Sequence, residues 1–266
     1  SGVVSAAPPW PGNGAVTRAG VRNLRINGQS ATQTFAGEEF SPCIFIWGST
    51  YNAVQDTELT NCKGDGITIG YELGRSVGAD FNHISHNKIF TNTRQQVSIT
   101  FGSENTIEYN NITGSIDLET DVGTGQIRKN VIHGNTGRNG NLDNASDLII
   151  SLASLSTAKI NYFGNIVTSN VIKRFDGQYN QNTIFSGNTV VGGDAVQTFL
   201  LDLAAFDNGI VTNNILNSNT GAAPALTHII RTRGGSNLVV ANNIVLNGTL
   251  PFHLYGAAFD ADTANN

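Results

Sequence analysis

Asp117, Glu119 and Asp121 occupy alternate positions in Ser115-Ile-Asp-Leu-Glu-Thr-Asp121, in a chain where only 13% of residues are charged. Two neighbouring carboxyl groups can divide the work of glycosidic cleavage, one protonated as acid and the other ionised as base or nucleophile. Elimination beside a uronate carboxylate needs other parts, a base and a cation that steadies the developing charge. Arg94, and His83 and His86 on either side of Ile84, could fill those roles. Asp117, Glu119 and Arg94 are therefore the candidate catalytic residues, and Gln96, Ser98, Thr100, His86 and Asp121 the candidate substrate contacts. The structural alternative is plain. Acids on an outer strand face can be solvated surface, Asp121 can cap the turn at Asp121-Val-Gly-Thr-Gly125, and His83 and His86 read by themselves as surface histidines.

Alternation fixes where the acids point. In Ser115-Ile-Asp-Leu-Glu119 the apolar Ile116 and Leu118 turn one way, so Asp117 and Glu119 share the other face, about 6.5 to 7 Å apart along a strand. That is close to the separation of about 6.5 to 9.5 Å associated with inverting glycosidases. Aligning the apolar pairs Ile67/Ile69, Val97/Ile99 and Ile116/Leu118 places Thr68 and Ser98 beside Asp117, and Gly70 and Thr100 beside Glu119. Gln96 then lies diagonally near and Arg94 at the edge.

The strand belongs to a repeat. The phrase apolar-x-x-Asn-x-apolar recurs around Asn87, Asn110, Asn130, Asn170, Asn188, Asn213 and Asn242. The 40 residues from Asn130 to Asn170 read as two turns, one of them degenerate and centred on Ser146 to Ser156. Weaker copies near Leu24 and Thr57 bring the total to about ten units. A period near 20 to 25 residues, with β-branched strands and loops of varying length, marks a solenoid whose units cannot bury an apolar face alone. Stacked coils would hold the repeated asparagines in a side-chain ladder, a structural rather than catalytic task. All six prolines (8, 9, 11, 42, 224 and 251) avoid the stacked strands.

On these residues the chain resembles the right-handed parallel β-helix superfamily of pectate-lyase-like enzymes and bacteriophage tailspikes. The local likeness is Asn92-Thr-Arg94, a short strand, the Ile107/Asn110/Ile112 phrase and Ile116-Asp-Leu-Glu119. The resemblance implies an all-β, single-stranded parallel β-helix over residues 17–266, preceded by a linker or extension over 1–16. It also implies work on a bacterial surface polysaccharide as in tailspike depolymerases, a homotrimer, and a location outside the cell or on the virion. Alternatives are a secreted pectate-lyase-like enzyme on uronic-acid polymers, and a non-enzymatic spike that binds glycan.

Composition narrows the partners. A net charge of −5, with Lys and Arg scattered, disfavours nucleic acid, and no apolar run is long enough to span a bilayer. No cofactor is called for; Asp143 and Asp147 could hold calcium but lack EF-hand-like spacing. Cys43 and Cys62 read as buried free thiols. His228 and His253 occupy similar slots and read as a stack near Arg231 and Arg233, while Asp202 and Asp207 either pair with that stripe or cap a turn.

Overall fold

The computed structural model describes residues 4–5, 17–32, 41–70, 78–119, 126–137, 148–152, 162–192, 199–218, 228–247 and 252–255. They form an all-β parallel β-helix. Every strand pair is parallel, and each strand lies beside the corresponding strand of the next coil. The longest sheet has ten strands among the described residues, from Val4–Ser5 through Ile44–Trp47, Ile67–Gly70, Val97–Ile99, Gly114–Leu118, Leu148–Leu152, Arg174–Gln178 and Phe199–Ala204 to His228–Arg233 and Phe252–Tyr255. A nine-strand sheet running from Gly20–Arg22 to Val239–Ala241 forms a second side. Shorter four-strand sheets complete the coils.

Alternation builds the core. Ile67, Ile69, Val97, Ile99, Ile116 and Leu118 of the long sheet meet Ile84, Ile107 and Ile132 of the nine-strand sheet, all buried. Each such side chain stabilises the coil by roughly 1.5 to 3 kcal/mol through apolar burial.

The asparagines form two ladders, not one. Asn52, Asn82, Asn105, Asn130 and Asn165 stack at one corner; Asn87, Asn110, Asn135, Asn170, Asn188, Asn214 and Asn243 stack at the next. The interior rungs are bonded in the same manner: Asn110 donates to Asn135 Oδ1 at 2.9 Å and to the Ile84 carbonyl at 3.0 Å, while its own Oδ1 accepts from Asn87. The residue before each of these rungs is left-handed, as at Phe81, His86, Tyr109 and Lys129. Non-glycine residues are uncommon in that region, so the corner is held there by the ladder bonds rather than by local preference.

The two ladders correct the reading of the repeat. Asn130 belongs to the first corner and Asn110 to the second, so the 20 residues between them are not a coil; the rungs Asn105–Asn130 and Asn110–Asn135 are both 25 apart. Asn213 and Asn242 are the left-handed residues beside the true rungs Asn214 and Asn243. No degenerate coil lies between Asn130 and Asn170. Leu148–Leu152 pairs on one side with Gly114–Leu118 and on the other with Arg174–Gln178, so a single coil spans the interval, with a rung step of 35.

Two further expectations are corrected. Cys43 and Cys62 form a disulfide, with Cα atoms 5.4 Å apart. Backbone bonds from Cys43 N to the Asp65 carbonyl and from Gly64 N to the Ser41 carbonyl draw the two segments together. His228 and His253 do not share a row: His228 is the register partner of Phe199, and His253 that of Arg231. Asp202 and Asp207 divide the two roles foreseen for them, Asp202 binding both Arg231 and Arg233, and Asp207 capping a turn by accepting from Ser236 N and Oγ.

Candidate active site on the outward face of the long sheet

The register of the long sheet sets one outward row, Phe45, Thr68, Ser98, Asp117, Ser151, Asp176, Asp202 and Arg231. Two residues further along each strand, Trp47 pairs with Gly70, and Thr100 and Glu119 extend the neighbouring strands. The pairings of Thr68 and Ser98 with Asp117, and the burial of Ile116 and Leu118 on the opposite face, are those expected from the sequence.

Asp117 is the most perturbed of these groups. Burial, reinforced by the Glu119 charge, pushes its carboxyl up to about 7, while hydrogen bonds from Ser151 and Gln95 pull the other way and a smaller contribution from Asp65 adds to the rise. Its Oδ2 accepts from Gln95 Nε2 at 3.3 Å, and its buried Oδ1 has no partner. A carboxyl so placed holds a proton near neutrality and keeps one oxygen with hydrogen-bonding capacity unused.

Asp65, which sequence reasoning missed, supports this group from below. It is 2% exposed. Its Oδ2 accepts from Ser98 Oγ and from Thr68 Oγ1, and its Oδ1 accepts from Gln95 N at 3.2 Å. Burial raises its carboxyl, against the opposing pull of Ser98, Arg94, Thr68 and Gln95. Asp65 therefore fixes the backbone of the residue that reaches Asp117. The disulfide at Cys62 braces the start of the loop that carries it.

The candidate residues are not all brought together. Asp117, Glu119, Ser98 and Thr100 share the outward face of the long sheet, with Arg94 close enough to act on Asp65. Ser98 is buried against Asp65, and Thr100 lies over Gly70, where a Cβ would collide with its hydroxyl. Gln96 is buried; its Oε1 accepts from Asn92 and its Nε2 donates to the Arg94 carbonyl. The amide that reaches Asp117 comes from Gln95. His86 is not with the acids. It occupies an exposed corner after His83–Ser85 of the nine-strand sheet and packs against Tyr109, while His83 Nε2 meets Glu108 Oε1 at 2.8 Å. Asp121, Asp143 and Asp147 lie outside the described residues.

Beyond Asp117 the row continues through a second set of charged groups. Burial raises the Asp176 carboxyl despite Arg174, whose Nη2 lies 2.8 Å away, and both Asp176 Oδ1 and Arg174 Nε are buried without partners. Asp202 accepts two bonds from each of Arg231 and Arg233, and Arg231 lies 4.0 Å from the Phe199 ring centroid. The signals were faint. Asp65 stands in Gly64-Asp-Gly66 just ahead of a strand, and Asp176 follows a buried Phe175 in the alternation that also places Asp117.

No family model and no curated protein matches the chain. Among solved structures it is similar to DFA-IIIase from Arthrobacter chlorophenolicus A6 in complex with GF2, with a TM-score of 0.50 and 14% identity over 97% of this chain and 60% of that one. The mannuronan C-5 epimerase AlgE6 A-module of Azotobacter vinelandii gives a TM-score of 0.35 and 13% identity over 82% of this chain and 76% of that one. The chain thus spans 60% of the length of the DFA-IIIase chain, and at 14% identity that likeness is one of fold.

Proposed function

We propose that the chain is a carbohydrate-active enzyme that hydrolyses a polysaccharide laid across the strands of the long sheet. The observation that carries this reading is Asp117, an outward carboxyl raised to about 7 with a buried, unpartnered Oδ1, two residues from Glu119 on the same face. Asp117 gives its proton to the glycosidic oxygen as that bond breaks. Glu119 takes a proton from the water that attacks the anomeric carbon from the opposite side, at the strand spacing of about 6.5 to 7 Å suited to inversion. Proton exchange with solvent then resets both groups. A fold likeness to DFA-IIIase in complex with GF2 agrees with an enzyme on this scaffold. The reading calls for no cofactor.

Thr68, Gly70, Ser98 and Thr100 lie between Phe45/Trp47 and Asp117/Glu119, and the aromatic pair, with ring centroids 4.9 Å apart, offers an apolar end to this strip. The finer reading is a tailspike-like depolymerase of a bacterial surface polysaccharide, acting outside the cell or on a virion. The disulfide supports an oxidising location. Exposed Ile210, Ile215, Val239, Ile244 and Leu246 on the last coils support self-association as a homotrimer. Light scattering on the purified protein tests that assembly.

Incubation with capsular, O-antigen and uronate polysaccharides tests the chemistry by reducing ends and absorbance near 235 nm. Hydrolysis gives reducing ends without absorbance, abolished in folded Asp117→Asn and Glu119→Gln. Absorbance instead would overturn hydrolysis in favour of elimination involving Arg94; activity retained in both variants would remove the acids from the reaction.

A further inference from the structure

Past the acids, the same outward row changes sign. From Asp117 it runs through Ser151, Asp176 and Asp202 to Arg231, four strand spacings or roughly 19 Å. The guanidinium groups of Arg174, Arg231 and Arg233 gather there, and Arg174 and Arg231 both approach the Phe199 ring, at 5.7 and 4.0 Å.

Asp202 is 2% exposed and serves as the anchor of this group. Its Oδ1 accepts from Nε of Arg231 and Arg233 at 2.9 and 3.1 Å, and its Oδ2 from their Nη2 atoms at 2.7 and 2.6 Å. A guanidinium has five N–H donors, and these contacts use two from each arginine. One carboxylate cannot neutralise two guanidinium groups. The Arg233 side chain is 37% exposed and that of Arg231 25%, so the excess positive charge reaches the surface of the row. Arg174 adds a third cation whose partner, Asp176, sits in a site that disfavours its ionised form.

We infer that Arg231, Arg233 and Arg174 form a binding site for an anionic substituent of the polymer, two to four strands from the acids that cut it. The inference rests on the hydrolytic reading of Asp117 and Glu119 and names its substrate class. In the hydrolytic reading the ionised Glu119 repels a charged sugar at the acid end, and the arginine end attracts one. The favoured substrate is then a heteropolymer whose charged units are separated from the scissile linkage by neutral sugars, not a homopolymer charged at every unit.

Binding to Asp117→Asn protein tests this without turnover. Titration at low salt uses three probes: hyaluronan, charged on alternate sugars; polygalacturonate, charged on every sugar; and dextran, uncharged. Hyaluronan is expected to bind most tightly and to weaken with added salt. Arg233→Gln, which leaves Arg231 on Asp202, is expected to weaken hyaluronan about 10-fold while leaving dextran unchanged. Arg174→Gln serves as a second variant should Arg233→Gln fail to fold.

Equal binding of dextran, equal or tighter binding of polygalacturonate, binding of none of the three, or full hyaluronan affinity in the folded arginine variants would overturn the site. The two proposals fail differently. Wild-type cleavage that needs Asp117, combined with indifference to the arginines, removes this site and leaves the hydrolase. Selective, arginine-dependent hyaluronan binding, with turnover unaffected by Asp117→Asn, does the reverse.

Discussion

Gln95 Nε2 donates to Asp117 Oδ2 at 3.3 Å while the backbone N of the same glutamine donates to Asp65 Oδ1 at 3.2 Å. One residue thus joins the part-buried carboxyl of the candidate site to a fully buried carboxyl of an earlier coil. Parallel stacking makes such links possible, because each coil presents its loop to the strand of the next.

Asp65→Ala should reduce the catalytic rate more than it raises KM, because Asp65 touches no substrate and acts by positioning Gln95. It also strips Ser98 and Thr68 of their acceptor, at a cost of about 2 kcal/mol in stability. Asp65→Asn keeps an acceptor oxygen and should recover part of the rate. Parallel measurement of kcat, KM and urea unfolding separates the two effects. A KM change alone would assign Asp65 to binding.

The pH dependence follows from Asp117. Its ordinary value of 3.8 rises to about 7 in the folded chain, so between about 4 and about 7 the native state holds a proton that the unfolded state has released. Stability should therefore fall as pH rises through this window and level off above it, with Asp65 and Asp176 shifting in the same direction. Turnover should decline above about pH 7 as the acid loses its proton. Asp117→Asn should flatten part of the stability profile, read by urea midpoints at successive pH values.

The fold was legible because two-residue alternation and the asparagine phrase report directly on burial and stacking. Ile116 and Leu118 inside, with Asp117 and Glu119 outside, needed only local sequence. Which corner an asparagine occupies did not. Asn110 and Asn130 sit in near-identical phrases yet in different ladders, and only cross-coil bonding distinguishes them. The disulfide and the Asp65–Gln95–Asp117 link were hidden for the same reason, since each joins segments whose register depends on loop lengths. His86 was misplaced because an outward-facing residue can belong to any side of the coil.

Asn110→Ala removes a rung that donates to Asn135 and to the Ile84 carbonyl and accepts from Asn87. The buried partners left behind should cost about 2 to 4 kcal/mol. Asn111→Ala, the exposed neighbour, should cost under about 0.5 kcal/mol. Thermal unfolding of the two side by side checks the assignment; equal losses would mean that the ladder does not hold the corner.

Replacing both Cys43 and Cys62 by Ala opens a crosslink between residues 19 apart. The expected loss is about 3 kcal/mol from the unfolded state alone. A dithiothreitol-induced fall in Tm, absent from the double variant, verifies the bond. Because Cys62 precedes the Asp65 loop, the variant should also lose turnover at temperatures where it remains folded.

Trp47 tests whether substrate uses the N-terminal end of the row. Its register partner is Gly70, which adds no side chain beside it, and Phe45 packs at 4.9 Å between ring centroids. A sugar ring laid on this pair would gain apolar contact without touching the acids, so its loss should act on binding and not on proton transfer. Trp47→Ala should raise KM by about 10-fold with kcat nearly unchanged, and Trp47→Phe should restore most of the difference. Chain length supplies the control. Oligosaccharides too short to reach from Asp117 to Trp47, three strand spacings or roughly 14 Å away, should be cut equally by wild type and variant. A uniform KM increase on short and long substrates would show instead that Trp47 shapes the sheet beneath the acids, and would move the polymer's path off this end of the row.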